Sequence, residues 1–290
     1  MEQFAGKSVV FGLSSGIGNS IFCLPAIKKL RTAGARITLF VDGDYDMTPL
    51  WNRCAFAERV LDGRWEDVPQ ADFYISGHWC PRKLRGFPLL MHARWLHEPV
   101  YECPEWELPC KMIGSPGLID VSNWCSGLHR TVPRFDVGLV NGCKPSSVWA
   151  RKRYPAMGEV SKMLRAKGLN VAAIGVPMDT EGIDDTQVIG NVPLVQLPEH
   201  LAMCRVIVGI DSGQVHMASS LGVPTVVLYT AVSAMKGDPV GRPTYKLHTN
   251  YVCQPCVSTP VWHKCTDWKC QGIDPAMVVE VTESLLKCTP

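Results

Sequence analysis

No run of eighteen or more apolar residues occurs in these 290 residues, so no segment reads as a membrane-spanning helix. The opening stretch, Met1 to Gly18, has neither a basic start nor a small-residue cleavage pattern, and it does not read as a secretory leader. These two absences give the expectation of a cytoplasmic protein. Charge is scarce: Asp, Glu, Lys and Arg make up 19% of the chain and the net charge is +2. Bulk electrostatics therefore does not draw the chain to nucleic acid, although a local patch still could.

Hydrophobic residues make up 46%, enough for a large core and too many for a disordered chain. The length fits two domains. The expected division is 1–132 and 133–290. Cysteine is plentiful, at 13 residues. An odd number in a cytosolic chain favours thiols over disulfides, with metal ligation where spacing is tight. Cys23, Cys54, Cys143 and Cys204 lie in apolar runs and read as small buried hydrophobes.

The apolar pattern alternates between strand-like and helix-like segments. Lys7–Leu13 reads as a strand, Ser14–Gly18 as a glycine-rich turn, Asn19–Ala33 as a helix and Arg36–Val41 as the next strand. Shorter strands are expected at Val60–Leu61 and Asp72–Ser76. From Gly77 to about Pro133 the periodicity fades, and irregular structure is expected. The alternation then restarts, with strands at Asp136–Asn141, Asn170–Ile174, Val188–Ile189, Arg205–Ile210 and Pro224–Tyr229. Helices are expected at Met157–Lys167, Pro198–Met203, Gln214–Leu221 and Asp274–Cys288. Strands apolar on both faces, alternating with helices, indicate two α/β domains of doubly wound, Rossmann-like type.

Two turns carry the chemistry. In the first, Gly16 and Gly18 let backbone approach a ligand just before a helix, without the spacing of the dinucleotide fingerprint. In the second, the strand RVIVGI ends at Asp211, and Ser212-Gly213-Gln214 opens a helix. Free amides at Ser212, Gly213 and Gln214 would face the crevice beyond the strand's carboxyl end, where such sheets bind ligands. A diphosphate held there by N–H groups and the helix dipole gains roughly 1–3 kcal/mol. His216 lies one helical turn on, where it serves either the site or the packing.

The stretch IDSGQVHMASSLGVPTVVLYT, read whole, resembles the Asp-Ser-Gly-x-x-His-x-Ala-x-x-Leu-Gly-x-Pro-Thr signature of glycosyltransferase family 9, the ADP-heptose-using heptosyltransferases of lipopolysaccharide synthesis. Gly16-x-Gly18-Asn19 with Leu24-Pro25-Ala26-Ile27 resembles the family's first loop and helix. Lys152-Arg153-Tyr154-Pro155 resembles its Lys-Arg-Trp/Tyr-Pro segment, and Cys253-x-Pro-Cys256 its tail. The resemblance covers residues 7–61 and 133–288; residues 77–132 do not align.

The resemblance implies a GT-B fold, two Rossmann-like domains facing across a cleft, with donor mainly on the second and acceptor on the first. It implies an inverting transfer of a sugar, heptose among the candidates, from a nucleotide-diphosphate donor to a hydroxyl, without a catalytic metal. It places Lys152, with Arg153 beside it, at the donor phosphates. Ser212 and Gly213 would supply amides, Asp179 or Glu181 would meet the ribose, and Gln214 and His216 would line the cleft. The family usually has Asp where this chain has Asn19, and an amide is no general base. Asp42, Asp44 and Asp46 after the second strand are the candidate replacements. A nucleotide-sugar binder without turnover is the alternative, and a transferase or binder acting on nucleic acid is a third.

Two further features stand out. Cys253, Cys256, Cys265 and Cys270 lie within 18 residues, a spacing that suits a tetrahedral structural zinc or iron, with His263 as a substitute ligand. Free thiols or disulfides are the other readings. From Phe73 to His97 there is no acidic residue, while Arg82, Lys83, Arg85, Arg94 and Trp95 combine cations with an aromatic ring. This segment reads either as a solvated loop face or as an acceptor surface for an anionic glycan, protein or nucleic acid.

Overall fold

The structure, a computed structural model, describes residues 1–14, 16–42, 46–63, 68–76, 103–128, 132–144, 149–183, 186–257 and 259–288. In chain order the elements are β1 (Ser8–Ser14), α1 (Ile17–Ile21), α2 (Leu24–Thr32), β2 (Arg36–Asp42), α3 (Thr48–Trp51), β3 (Arg59–Asp62), β4 (Phe73–Ser76), α4 (Glu107–Met112) and β5 (Phe135–Val140). There follow α5 (Met157–Ala166), β6 (Val171–Ile174), β7 (Gln187–Ile189), α6 (Leu197–Ala202), β8 (Cys204–Ile210), α7 (Gly213–Ser220), β9 (Thr225–Tyr229), β10 (Thr244–His248), α8 (Pro260–Lys264) and α9 (Pro275–Cys288).

Two sheets form, and their described pairings are parallel. The first has the order β3-β2-β1-β4 and the second β10-β9-β8-β5-β6-β7. Counted within its own half, the second sheet runs 3-2-1-4-5-6, the Rossmann order, and the first is its shorter version, 3-2-1-4. The order reverses between β5 and β8, so a crevice opens beyond the ends of those two strands. Both central strands are almost fully buried, as parallel strands covered on two faces must be.

The expected first helix is two helices. Pro25, in the first turn of α2, has no N–H to continue the hydrogen-bond ladder, and its ring displaces the carbonyl four residues back. The chain therefore breaks at Phe22–Cys23. Part of the stretch expected to be irregular is ordered as α4, which packs on α2. Residues 77–102 of that stretch lie outside the described residues.

One apolar cluster joins the two halves, from Phe11, Ile21 and Trp51 to Val215, Met217 and Val227. Polar contacts reinforce it. Arg53 donates to both carboxylate oxygens of Glu199, at 3.0 and 2.5 Å, and the Trp124 indole donates to Ser220 Oγ at 2.9 Å. Among the described residues, no helix is long and apolar enough to cross a membrane.

Candidate functional site

The strand β8 delivers Asp211 to the crevice at the switch point. Asp211 is buried, and its carboxylate binds two partners: Lys152 Nζ donates to Oδ2 at 2.5 Å, and His216 Nε2 lies 2.8 Å from Oδ1. Burial alone would raise the carboxyl's pKa. The Lys152 charge and the His216 hydrogen bond outweigh it and hold the group well below the usual carboxylate range. Lys152 comes from the single 3-10 turn after β5, and Thr230 Oγ1 donates to its backbone carbonyl at 3.2 Å. Two stretches of chain, the turn at Lys152 and the first turn of the helix α7, thus converge on one carboxylate.

α7 begins immediately beyond. Ser212 is its N-cap in extended conformation, and its side chain makes no capping bond. Its hydroxyl is buried without a partner. Among the described residues, the amides of Gly213 and Gln214 donate to no protein acceptor. A helix start with bare amides and a positive dipole end is an anion site when a ligand can reach it.

The glycine turn of the first half closes against this point. A Cβ on Gly213 would lie 2.9 Å from Ile17 Cβ and 3.2 Å from the Gly18 amide nitrogen. A Cβ on Gly18 would lie 3.3 Å from His216 Cδ2. The two turns touch because both positions lack a side chain. Phe22 completes the contact, its ring centroid 4.5 Å from that of His216. His216 is therefore clamped between Asp211 and the first half, and its Nδ1 is buried without a partner. Gly16 is the extended N-cap of α1, and Asn19 is half-buried on that helix.

On the other side, Arg153 donates to Asp179 Oδ1 at 2.8 Å, and Asp179 is buried while Glu181 is exposed. A Cβ on Gly142 would lie 2.7 Å from Asp179 Oδ2 and 3.0 Å from Gln214 Nε2. Arg153, Asp179, Gly142 and Gln214 thus form one wall beside the α7 N-terminus. Lys152, Arg153, Asp179, Asp211, Ser212, Gly213, Gln214, His216, Gly16, Gly18 and Asn19 are brought together; Glu181 is turned to solvent.

The remaining candidates lie elsewhere. Asp46 is exposed, and Asp42 ends β2 with its side chain outside the described atoms. Asp44 and the segment with Arg82, Lys83, Arg85, Arg94 and Trp95 lie outside the described residues. Sequence reasoning missed Glu105. It is 4% exposed and its amide donates to the Lys236 carbonyl at 3.0 Å. Burial, and the Asp211 charge to a smaller degree, push its carboxyl up to about 7 against the pull of Lys236 and Lys152. Glu105 lies in a proline-rich loop with no periodicity to expose it.

The cysteine tail folds back on the second half. Cys256, Cys265 and Cys270 line a small cavity with Arg151, Trp262 and Trp268. Burial first, and then the neighbouring Cys256, Cys253 and Cys265, raise the Cys270 thiol to about 11. Among the described residues, no group of three or more His, Cys, Asp or Glu has the arrangement of a metal site.

The two parallel-sheet halves have the GT-B fold. Residues 129–266 match the family model of glycosyltransferase family 9 (heptosyltransferase). The chain is similar to a family 9 glycosyltransferase from Veillonella parvula, at 17% identity over 98% of each chain with a TM-score of 0.75. It is also similar to E. coli ADP-heptose lipopolysaccharide heptosyltransferase II, at 15% identity over 97% of this chain and 99% of that one, TM-score 0.60. A third similarity is to the iron-containing dodecameric glycosyltransferase TibC of enterotoxigenic E. coli, at 14% identity over 97% of this chain and 77% of that one, TM-score 0.64. No curated protein matches the sequence.

Proposed function

We propose that this glycosyltransferase moves a sugar from a nucleoside-diphosphate donor to a hydroxyl acceptor, inverting the anomeric carbon and using no catalytic metal. The observation that carries this is the bare N-terminus of α7 beside the Lys152–Asp211–His216 cluster at the switch point. The α7 amides and Lys152 would hold the diphosphate, and the wall of Arg153, Asp179 and Gln214 would take the nucleoside. Residues 133–290 would carry the donor and residues 1–132 the acceptor.

In direct displacement the acceptor oxygen attacks C1 and the nucleoside diphosphate leaves from the opposite face. Negative charge builds on the departing phosphate, where the helix dipole and the Lys152 ammonium oppose it. In the donor-free arrangement Asp211 neutralises that ammonium. A bound diphosphate would share it, with Asp211 keeping the lysine in place. Similarity to heptosyltransferases makes ADP-heptose the first donor to try, and the cation-rich segment from Arg82 to Arg94 favours an anionic acceptor. Calorimetric titration with ADP, UDP and GDP, followed by release of nucleotide from the matching sugar donors, tests the proposal. Binding of none of them would remove it.

The cysteine tail suits a structural zinc or iron: three soft sulfur donors, Cys256, Cys265 and Cys270, line one small cavity. Cys253, Cys256, Cys265 and Cys270 would hold the ion and pin the tail to the second half. The described cysteines are all unpaired, which suits the cytoplasm.

A further inference from the structure

We propose that Glu105 is the general base of the transfer, taking the proton from the acceptor hydroxyl where Asn19 cannot. This deepens the reading above and rests on it. Glu105 precedes α4 and reaches the second half of the molecule. Its amide is bonded to Lys236, and its neighbour Trp106 places Nε1 3.5 Å from Asp238 Oδ2. Gly237, next to Lys236, packs on Asp211, where an added Cβ would lie 2.8 Å from Oδ1. The charges of Lys236 in the loop after β9, Asp211 at the end of β8 and Lys152 in the turn after β5 act on the Glu105 carboxyl, and its charge acts on Cys23 at the start of α2. The carboxylate therefore lies at the meeting of the two halves, within electrostatic reach of the lysine and aspartate at the donor end.

Two facts separate it from the other carboxylates whose side chains are described. Among the described residues, the Glu105 carboxylate makes no hydrogen bond and no ion pair, although it is 4% exposed. A buried carboxylate left unpaired lowers stability, and such groups cluster where chemistry needs them. Asp211, by contrast, has both oxygens committed, and its proton affinity is lowered, so it is a poor base. Asp46 is exposed on the surface. Glu105 titrates at about 7, close to working pH, where a general base is most efficient.

The step balances without a co-reactant. The ionised Glu105 accepts the proton of the acceptor O–H. The oxygen's electron pair forms the bond to C1, and the C1–O bond to the diphosphate breaks, its pair leaving with the nucleoside diphosphate. Protonated Glu105 then loses its proton to solvent as the products depart.

The test uses ADP-heptose as donor with water standing in for the acceptor, and measures ADP release against pH. Wild type should gain rate about tenfold per pH unit below 7 and level off above. Glu105→Gln should be slower by at least about a hundredfold and lose that slope, while binding ADP as wild type does. Glu105→Asp, retaining the acid, should fall between the two and keep a slope. Should Glu105→Gln prove unfolded by its melting curve, the slope of Glu105→Asp carries the test. Wild-type rate and slope in Glu105→Gln, or a flat profile in Glu105→Asp, would overturn the assignment and leave the transfer reading intact. Wild type that binds no ADP-heptose, or binds it and releases no ADP, would overturn the transfer reading and the base with it.

Discussion

Asp211 holds Lys152 through one carboxylate oxygen at 2.5 Å and His216 through the other at 2.8 Å. The lysine and aspartate side chains are each 12% exposed. Removing the aspartate leaves a lysine charge buried without its partner, which costs about 3–5 kcal/mol. Asp211→Ala should lose transfer and melt well below wild type. Asp211→Ala/Lys152→Met should recover much of the stability and none of the activity. Equal melting temperatures for the single and double variants would show that the pair does not carry the predicted coupling.

The glycine contact between the halves makes a steric prediction. The Cβ added by Gly213→Ala meets Ile17 and the Gly18 backbone at 2.9 and 3.2 Å, and backbone cannot swing aside as a long side chain can. The expected loss is about 1–3 kcal/mol of stability, together with weaker ADP binding, because the α7 amides shift with the wedge. Chemical denaturation and calorimetry on this variant check both. Unchanged stability would mean that the two turns do not press on each other in solution.

Stability should depend on pH in two opposed ways. Asp211 titrates lower in the folded chain than in the unfolded chain, so it stabilises above about pH 4, and that gain is lost as pH falls through its folded value. Glu105 titrates higher when folded, at about 7, so its ionisation weakens the fold progressively from about pH 4 up to about 7. Glu105→Gln should therefore melt higher than wild type at pH 8 and close to it at pH 4. A variant less stable than wild type at pH 8 would contradict the unpaired state of this carboxylate.

Asp179 and Glu181 were equivalent candidates for the ribose in the sequence, and the structure separates them. Asp179 is buried against Arg153 and Gln214, while Glu181 is exposed. Asp179→Ala should weaken ADP binding by tenfold or more, and Glu181→Ala by less than twofold. Calorimetry on the two variants decides, and the reverse order would move the nucleoside elsewhere.

The positions of most strands and helices along the chain were legible because parallel strands buried on both faces leave continuous apolar runs such as Val206–Ile210. The edge strand β10 was not, since Thr244–His248 is largely exposed and shows neither such a run nor a clean alternation. The site's backbone was legible at Asp211–Gln214, where a strand end, a serine and a glycine precede a helix. Its pairings were not. Lys152 and Asp211 are 59 residues apart, and only the parallel register of β5 and β8 brings them together. Glu105 stayed hidden for a related reason: its meaning comes from Lys236, Asp211 and Lys152, all on the other half of the chain.

Titration of ADP into wild type and Lys152→Ala tests the diphosphate site most directly. Wild type should bind one ADP per chain, and Lys152→Ala should bind at least about tenfold more weakly, since it loses a charge-assisted hydrogen bond to phosphate. Equal affinity in the two proteins, or no binding by either, would contradict a diphosphate seated at the start of α7.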